Sequence, residues 1–300
     1  MIKMGKIKLC MPYYNEGLIA KICIHEAQKW VDEIHITEFD KSFKYAPHPY
    51  EFKLGNEEKV FYHPMNSKGK YLKPRKIVPH FVIKPISRWL KHTCLNTGWY
   101  NEAVSRNYSL WNANFEDNDI LILSDIDEII DSRYSQQILE AVDKYDAVTI
   151  KIYFSNFYFN LFNPDWPGPE GYSYRIVVIK GKYLREKFFG DSDYIRKMGE
   201  AGKLNDAIKL LDGFKGFHHS WLGNIDFVKK KLLSYAHSLD EHSSSILKDN
   251  GDIDLESLKQ HIESGTTIFG GAETKLVKDN SIKLLPEVEE LRNKYPEFFF

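Results

Sequence analysis

Apolar and polar positions along the first forty residues predict strand, helix, strand. Ile7-Lys8-Leu9-Cys10-Met11-Pro12 reads as a short strand, ended by the polar turn Tyr13-Tyr14-Asn15-Glu16-Gly17. Leu18, Ile22, Ala27, Trp30 and Val31 then recur at helical spacing. Ile34-His35-Ile36-Thr37 follows as a second strand, which completes a βαβ unit, and Val60-Phe61-Tyr62 is a candidate third strand. Residues 99–115 read as a helix through Trp99, Ala103, Tyr108 and Leu110. Further strands are predicted at Ile120–Leu123, Ala147–Tyr153 and Tyr174–Ile179. Helices are predicted from Ser135, over 194–211, and along Val228, Leu232, Tyr235 and Leu239. Between Ile152 and the next strand lies an aromatic-rich section, Phe154 to Trp166, closed by Pro167, Gly168 and Pro169. No internal repeat breaks this order. The pattern predicts one mixed α/β domain over 1–300 with a helical C-terminal portion.

One strand end carries chemistry. Ile120-Leu121-Ile122-Leu123 is apolar throughout, as a strand buried on both faces would be, and Ser124-Asp125-Ile126-Asp127-Glu128 follows it directly. Open α/β sheets bind ligands at the carboxyl ends of their strands. Extended Asp-x-Asp sets both carboxylates on one side, because side chains in a strand alternate with a period of two. Close carboxylates repel and lose hydration, so they call for a neutralising cation. A hard divalent ion that also grips a diphosphate fits Asp125 and Asp127. The plainer reading is an acidic turn that caps the helix starting near Ser135.

Composition narrows the classes. A formal charge of −1 argues against a general nucleic-acid binder. No apolar stretch reaches the length of a membrane-spanning helix. The N-terminal apolar run is broken by Tyr13, Asn15 and Glu16, unlike a signal peptide. These features lead to an expectation of a cytoplasmic protein. The three cysteines, Cys10, Cys23 and Cys94, are too widely spaced for a zinc site and read as buried thiols in a reducing compartment. Aromatic residues make up 14% of the chain, which suits sugar and nucleobase faces as well as a core. From Lys59 to Asn101 there is no acid, against nine Lys or Arg, with Pro64, Pro74, Pro79 and Pro85 among them. That stretch reads as a solvated insertion, or as a surface for phosphates, an anionic acceptor or a membrane.

The order of these pieces resembles the nucleotide-sugar glycosyltransferases of the GT-A fold, and within them glycosyltransferase family 17, the group of the bisecting β-1,4-N-acetylglucosaminyltransferase. The matching pieces run colinearly: Asn15-Glu16, Val31-Asp32, Glu38, Ser42-Phe43, Glu102 with Arg106, Ser124–Glu128 and Arg175. They continue with His218, Ser220-Trp221, Lys231, Ser234, His237, Gly265, Phe269 and Leu285-Pro286. The segment from Ser42 to Trp99 departs from the family in its basic, proline-rich character, and the 300 residues lead to an expectation of a relative without the membrane anchor of the animal enzymes.

The resemblance implies a Rossmann-like nucleotide-sugar-binding sheet flanked by helices. Its nucleotide half would span about 1–130, and its acceptor and helical half about 131–300. It implies an inverting transferase that uses Mn2+ or Mg2+, with UDP-GlcNAc as donor and a glycan or glycolipid as acceptor. Asp127 is the first choice for direct metal contact, Asp125 for the ribose or a metal-bound water, and His218 for a further ligand or diphosphate contact. Asn15, Glu16 and Glu38 fall at the nucleotide, with the latter two equally suited to caps or turns. Arg106, on the helix before the acidic strand end, would offer its fork to the diphosphate. The general base is sought at Glu170 or Asp193. Peripheral membrane contact is assigned to the basic 59–101 segment.

Two other classes compete. A sugar-nucleotide pyrophosphorylase would open on a Gly-rich phosphate loop, and Met11–Glu16 contains none. A non-catalytic carbohydrate-binding protein would have no need for costly paired acids at Asp125 and Asp127.

Overall fold

The computed structural model describes residues 5–43, 46–53, 55, 58–66, 97–165, 175–200, 206–234, 246–248, 252–268 and 274–300, with backbone alone at 97–100 and 200. In chain order the elements begin with β1 (Ile7–Tyr13), α1 (Gly17–Gln28), β2 (Glu33–Phe39), β3 (Val60–Met65) and α2 (Thr97–Asn112). Next come β4 (Ile120–Leu123), β5 (Glu128–Ile130), α3 (Ser135–Tyr145), β6 (Ala147–Asn156) and β7 (Leu161–Phe162). Then follow β8 (Val177–Lys180), α4 (Gly181–Phe188), α5 (Ser192–Glu200) and β9 (Lys209–Ser220). The chain closes with α6 (Ile225–Ser234), α7 (Leu255–Ser264), β10 (Val277–Lys278) and α8 (Pro286–Lys294). Two compact units arise, Met1–Lys151 with Ser173–Gly216, and Ile152–Tyr172 with Phe217–Phe300.

The first unit is a mixed α/β body on a mostly parallel sheet, as the sequence pattern predicts. Strands β4, β1, β2 and β3 lie side by side and parallel. Strand β8 joins β4 antiparallel, and the start of β6 pairs with β8. Cys10 faces Leu123 in register, so β4 ends beside the middle of β1, which continues along β2 to Tyr13. Strand β4 lies inside the sheet between β1 and β8, and Leu121, Ile122 and Leu123, which alternate between its two faces, are all buried, in keeping with the unbroken apolar run.

The start of β4 is fixed by Asp119, which accepts from the backbone N–H of Lys6 at 2.8 Å and of Glu116 at 2.9 Å and pairs with Lys8 at 3.1 Å. Gly181 passes so close to this loop that a Cβ there would stand 2.1 Å from the Glu116 carbonyl oxygen. Lys59, at the head of the basic stretch, donates to the Gln28 and Val31 carbonyls at 2.9 and 2.8 Å and thereby caps the end of α1. The stretch's lysines from Lys68 to Lys91 lie outside the described residues.

In the second unit, Phe157, Leu161, Trp221, Val228, Leu232 and Leu258 belong to one core cluster. Trp221 is therefore a core residue. Asn160 clasps the chain end: its amide donates to the Phe300 carbonyl at 3.2 Å and its carbonyl accepts from the Phe300 N–H at 2.8 Å.

One predicted helix fails. The pattern predicts helix over 194–211, but α5 ends at Glu200 and Lys209 opens the twelve-residue strand β9. Ile208, Leu210 and Leu211 fit either period, so the first residues of β9 carry no alternation that marks a strand. Cys10 and Cys23 are free and buried, and burial pushes both thiols up to about 12. Cys94, Tyr235 and Leu239 lie outside the described residues. No helix among the described residues is long and apolar enough to cross a membrane.

Candidate functional site

The acidic end of β4 is held by two arginines. Arg106, on α2, grips Asp125 with a fork: Nε donates to Oδ1 at 2.9 Å and Nη2 to Oδ2 at 2.9 Å. Its Nη1 donates to Asp193 at 2.9 Å, and Nη2 also reaches Glu102, one helical turn earlier, at 3.0 Å. Arg196, on α5, forks Glu128 at 2.9 and 2.7 Å, and its Nη2 stands 3.0 Å from Asp125. The Glu128 carboxylate turns back to accept from the Asp125 N–H at 2.9 Å. Arg106 and Arg196 are 8% and 6% exposed, so these are buried, charge-assisted contacts.

This arrangement answers part of the electrostatic demand read from the sequence. Burial alone would raise the Asp125 carboxyl, but the Arg106 and Arg196 guanidiniums hold it well below the usual carboxylate range. The cations that Asp125 requires come from the chain itself. Arg106 has each guanidinium nitrogen engaged by a carboxylate, including the fork the sequence reading reserved for a diphosphate. Asp127 is 7% exposed and flanked in sequence by the two pinned acids. Its oxygens suit a hard divalent ion, which binds through one or two carboxylates together with substrate phosphates.

Asp193 is fully buried. Its carboxylate is shared between Arg106 and Lys197, the latter at 3.1 Å. Asp191, two residues earlier, escapes sequence reasoning. It caps α5 by accepting from the Tyr194 N–H at 2.9 Å and also accepts from Asn107 at 2.8 Å. Its other oxygen, Oδ2, is buried without a hydrogen-bond partner. Burial, then the charge of Asp193, pushes its carboxyl up to about 7. The available signal was the Gly190-Asp191-Ser192-Asp193 turn itself, in which either acid could have been the buried one.

A carboxyl raised this way binds more protons folded than unfolded, where the ordinary value is about 4. Its stability contribution is complete below pH ~4 and is lost as pH rises to ~7, by about 1.4 kcal/mol per pH unit inside that window. Asp191→Asn keeps the cap and the Asn107 bond. Its melting temperature should therefore overtake that of the wild type as pH rises from 5 to 8; parallel curves would show that Asp191 does not titrate there.

The candidates of the first two strand ends are held by their own loops. Asn15 sits in the loop after β1 with φ +67, a left-handed turn that asparagine tolerates. Glu16 follows and accepts from the Tyr14 N–H at 2.9 Å. Glu38, at the end of β2, is enclosed by four donors: His48 at 3.1 Å, the Glu51 N–H at 2.7 Å, the Phe52 N–H at 3.0 Å and the Tyr62 hydroxyl at 2.7 Å. This carboxylate organises the 46–53 loop, the turn role its sequence position allowed. His218 belongs to the second unit, where it is 7% exposed and stacks on Phe154 at 4.5 Å. Its neighbour His219 is bonded to the Ser155 hydroxyl at 2.7 Å. Glu170, His237 and Phe269 lie outside the described residues.

No protein-family model and no curated protein matches this chain. Among solved structures it is similar to S. aureus TarS residues 1–349, at 14% identity, with 86% of this chain and 72% of that chain covered and a TM-score of 0.35. The same TarS segment in complex with UDP-GlcNAc gives 14%, 86%, 73% and 0.38. The longer TarS structure gives 13%, 85%, 43% and 0.37. Scores this low carry no argument, and the α/β architecture stands on its own strand order and register.

Proposed function

We propose that this chain is an inverting, metal-dependent glycosyltransferase of the GT-A fold, similar to family 17, in which both units serve one glycosyltransferase domain. One observation carries the reading. The acids of Ser124–Glu128 stand at the carboxyl end of a central strand whose parallel neighbour, β1, runs alongside it and continues three residues further, to Tyr13. Sheets of this design take their ligands there. The donor is a nucleotide sugar, with UDP-GlcNAc first, and the acceptor is a glycan or glycolipid.

Asp127 is the direct contact to Mn2+ or Mg2+, which when bound would neutralise charge building on the departing diphosphate. Asp125, held ionised by two guanidiniums, serves as an acceptor for the ribose or a metal-bound water, and as a second metal contact if its fork opens. His218 is proposed as a further ligand or diphosphate contact from its place in Phe217-His218-His219-Ser220-Trp221. Asn15, Glu16 and Glu38 shape the nucleotide side, and Arg106 adds positive charge next to the leaving group. The acceptor hydroxyl attacks the anomeric carbon as the bond to the diphosphate breaks, and a carboxylate takes the hydroxyl proton. Asp193 and Glu170 remain candidates for that base. Asp191 joins them because a carboxyl near 7 is matched to proton transfer at neutral pH.

The test is incubation with UDP-GlcNAc and Mn2+. Slow UDP release, with water standing in for the acceptor, supports transfer. UTP formed on adding pyrophosphate would instead support a pyrophosphorylase.

A further inference from the structure

The contacts around Ser124–Glu128 form a closed ring. Arg196 bonds both Glu128 oxygens at 2.9 and 2.7 Å and Asp125 at 3.0 Å, and the Asp125 N–H returns to Glu128 at 2.9 Å. A further bond from Arg196 to the Arg175 carbonyl, at 3.2 Å, ties the ring to the segment before β8. Only Ile126 and Asp127 lie between the two acids that Arg196 joins. Ile126 is 2% exposed and fixes the same short stretch from the apolar side. The backbone that carries Asp127 thus has its flanking residues tethered to one planar cation.

From this geometry we infer that Arg196 is a positioning residue: by bridging Asp125 and Glu128 it fixes where Asp127 presents its carboxylate to the metal–diphosphate of the donor. The inference rests on the reading of Asp127 as the metal contact. A guanidinium suits the task because its donors are coplanar and fixed in direction, whereas an ammonium is a point charge on a flexible stem. Arg196→Lys keeps the buried positive charge near Asp125 and Glu128 but cannot hold both in one plane. Partners that orient a metal ligand typically matter by about 10–100-fold in metal affinity.

The experiment titrates UDP into wild type and Arg196→Lys, each with saturating Mn2+ and each in EDTA, at a temperature where circular dichroism shows both folded. In Mn2+ the variant should bind UDP about 10–100-fold more weakly. In EDTA, where Asp127 contributes no metal contact, the two should differ little. That metal-specific loss separates positioning from general support of the fold. Equal weakening with and without Mn2+, or a wild-type gain from Mn2+ in the variant, overturns the inference. If Arg196→Lys does not fold, Arg196→Gln, which keeps a planar donor but cannot reach both acids, should lose the same Mn2+-dependent gain; retention of that gain overturns the inference. A wild type that gains nothing from Mn2+ defeats the glycosyltransferase reading itself, and the inference with it.

Discussion

Arg106→Met should lose about 3–5 kcal/mol of stability, because it strips a buried cation from three carboxylates at once. Asp125, Asp193 and Glu102 all lie within 3.0 Å of its guanidinium nitrogens. Among the described residues, Asp193 would keep its pair with Lys197, and Asp125 its pair with Arg196. The melting temperature should fall on the order of 10 °C. Arg106→Lys restores a charge without the fork, so it should recover part of that stability and still transfer sugar poorly. Circular dichroism melts and a UDP-release assay on both variants decide the matter. A Met variant as stable as wild type would make the guanidinium a surface group, against its burial.

Asp127→Asn should do the reverse: leave the melting temperature of the free protein within a few degrees of wild type and remove most metal-dependent turnover. The substitution deletes one negative charge and keeps the shape. A metal that binds through one protein carboxylate and the donor's phosphates loses its protein anchor with that charge. We expect UDP release in Mn2+ to fall by about 100-fold or more, equivalent to ~3 kcal/mol of transition-state stabilisation. Wild-type rates in this variant would assign the metal elsewhere.

The parts of this picture legible in the sequence are the local ones. Ile120–Leu123 is apolar at every position, and only a strand covered on both faces explains that run, so β4 and its acidic end could be placed directly. The βαβ opening was equally plain from the period change after Tyr13. Who neutralises the acids was not. Sequence reasoning saw close carboxylates and asked for a cation, and for Asp125 the answer is Arg106 and Arg196. Arg196 lies 68 residues from Glu128, on a helix whose pattern says only that one face is buried. The Asp191 carboxyl is another case: its raised affinity for protons comes from burial and then from the charge of Asp193, against the opposing hydrogen bond from Asn107, 84 residues away on α2. The start of β9 was misread because the few apolar residues at 208–211 fit a helical period as well as a strand's.

The central claim is that the acidic end of β4 takes a nucleotide sugar with a divalent ion and releases the nucleoside diphosphate. Its most direct measurement is UDP released from UDP-GlcNAc by the wild-type chain, in Mn2+ and in EDTA, with and without pyrophosphate. The account predicts UDP formation that requires Mn2+, is absent in Asp127→Asn, and yields no UTP when pyrophosphate is added. UDP formation unchanged in EDTA, or retained in Asp127→Asn, would contradict it.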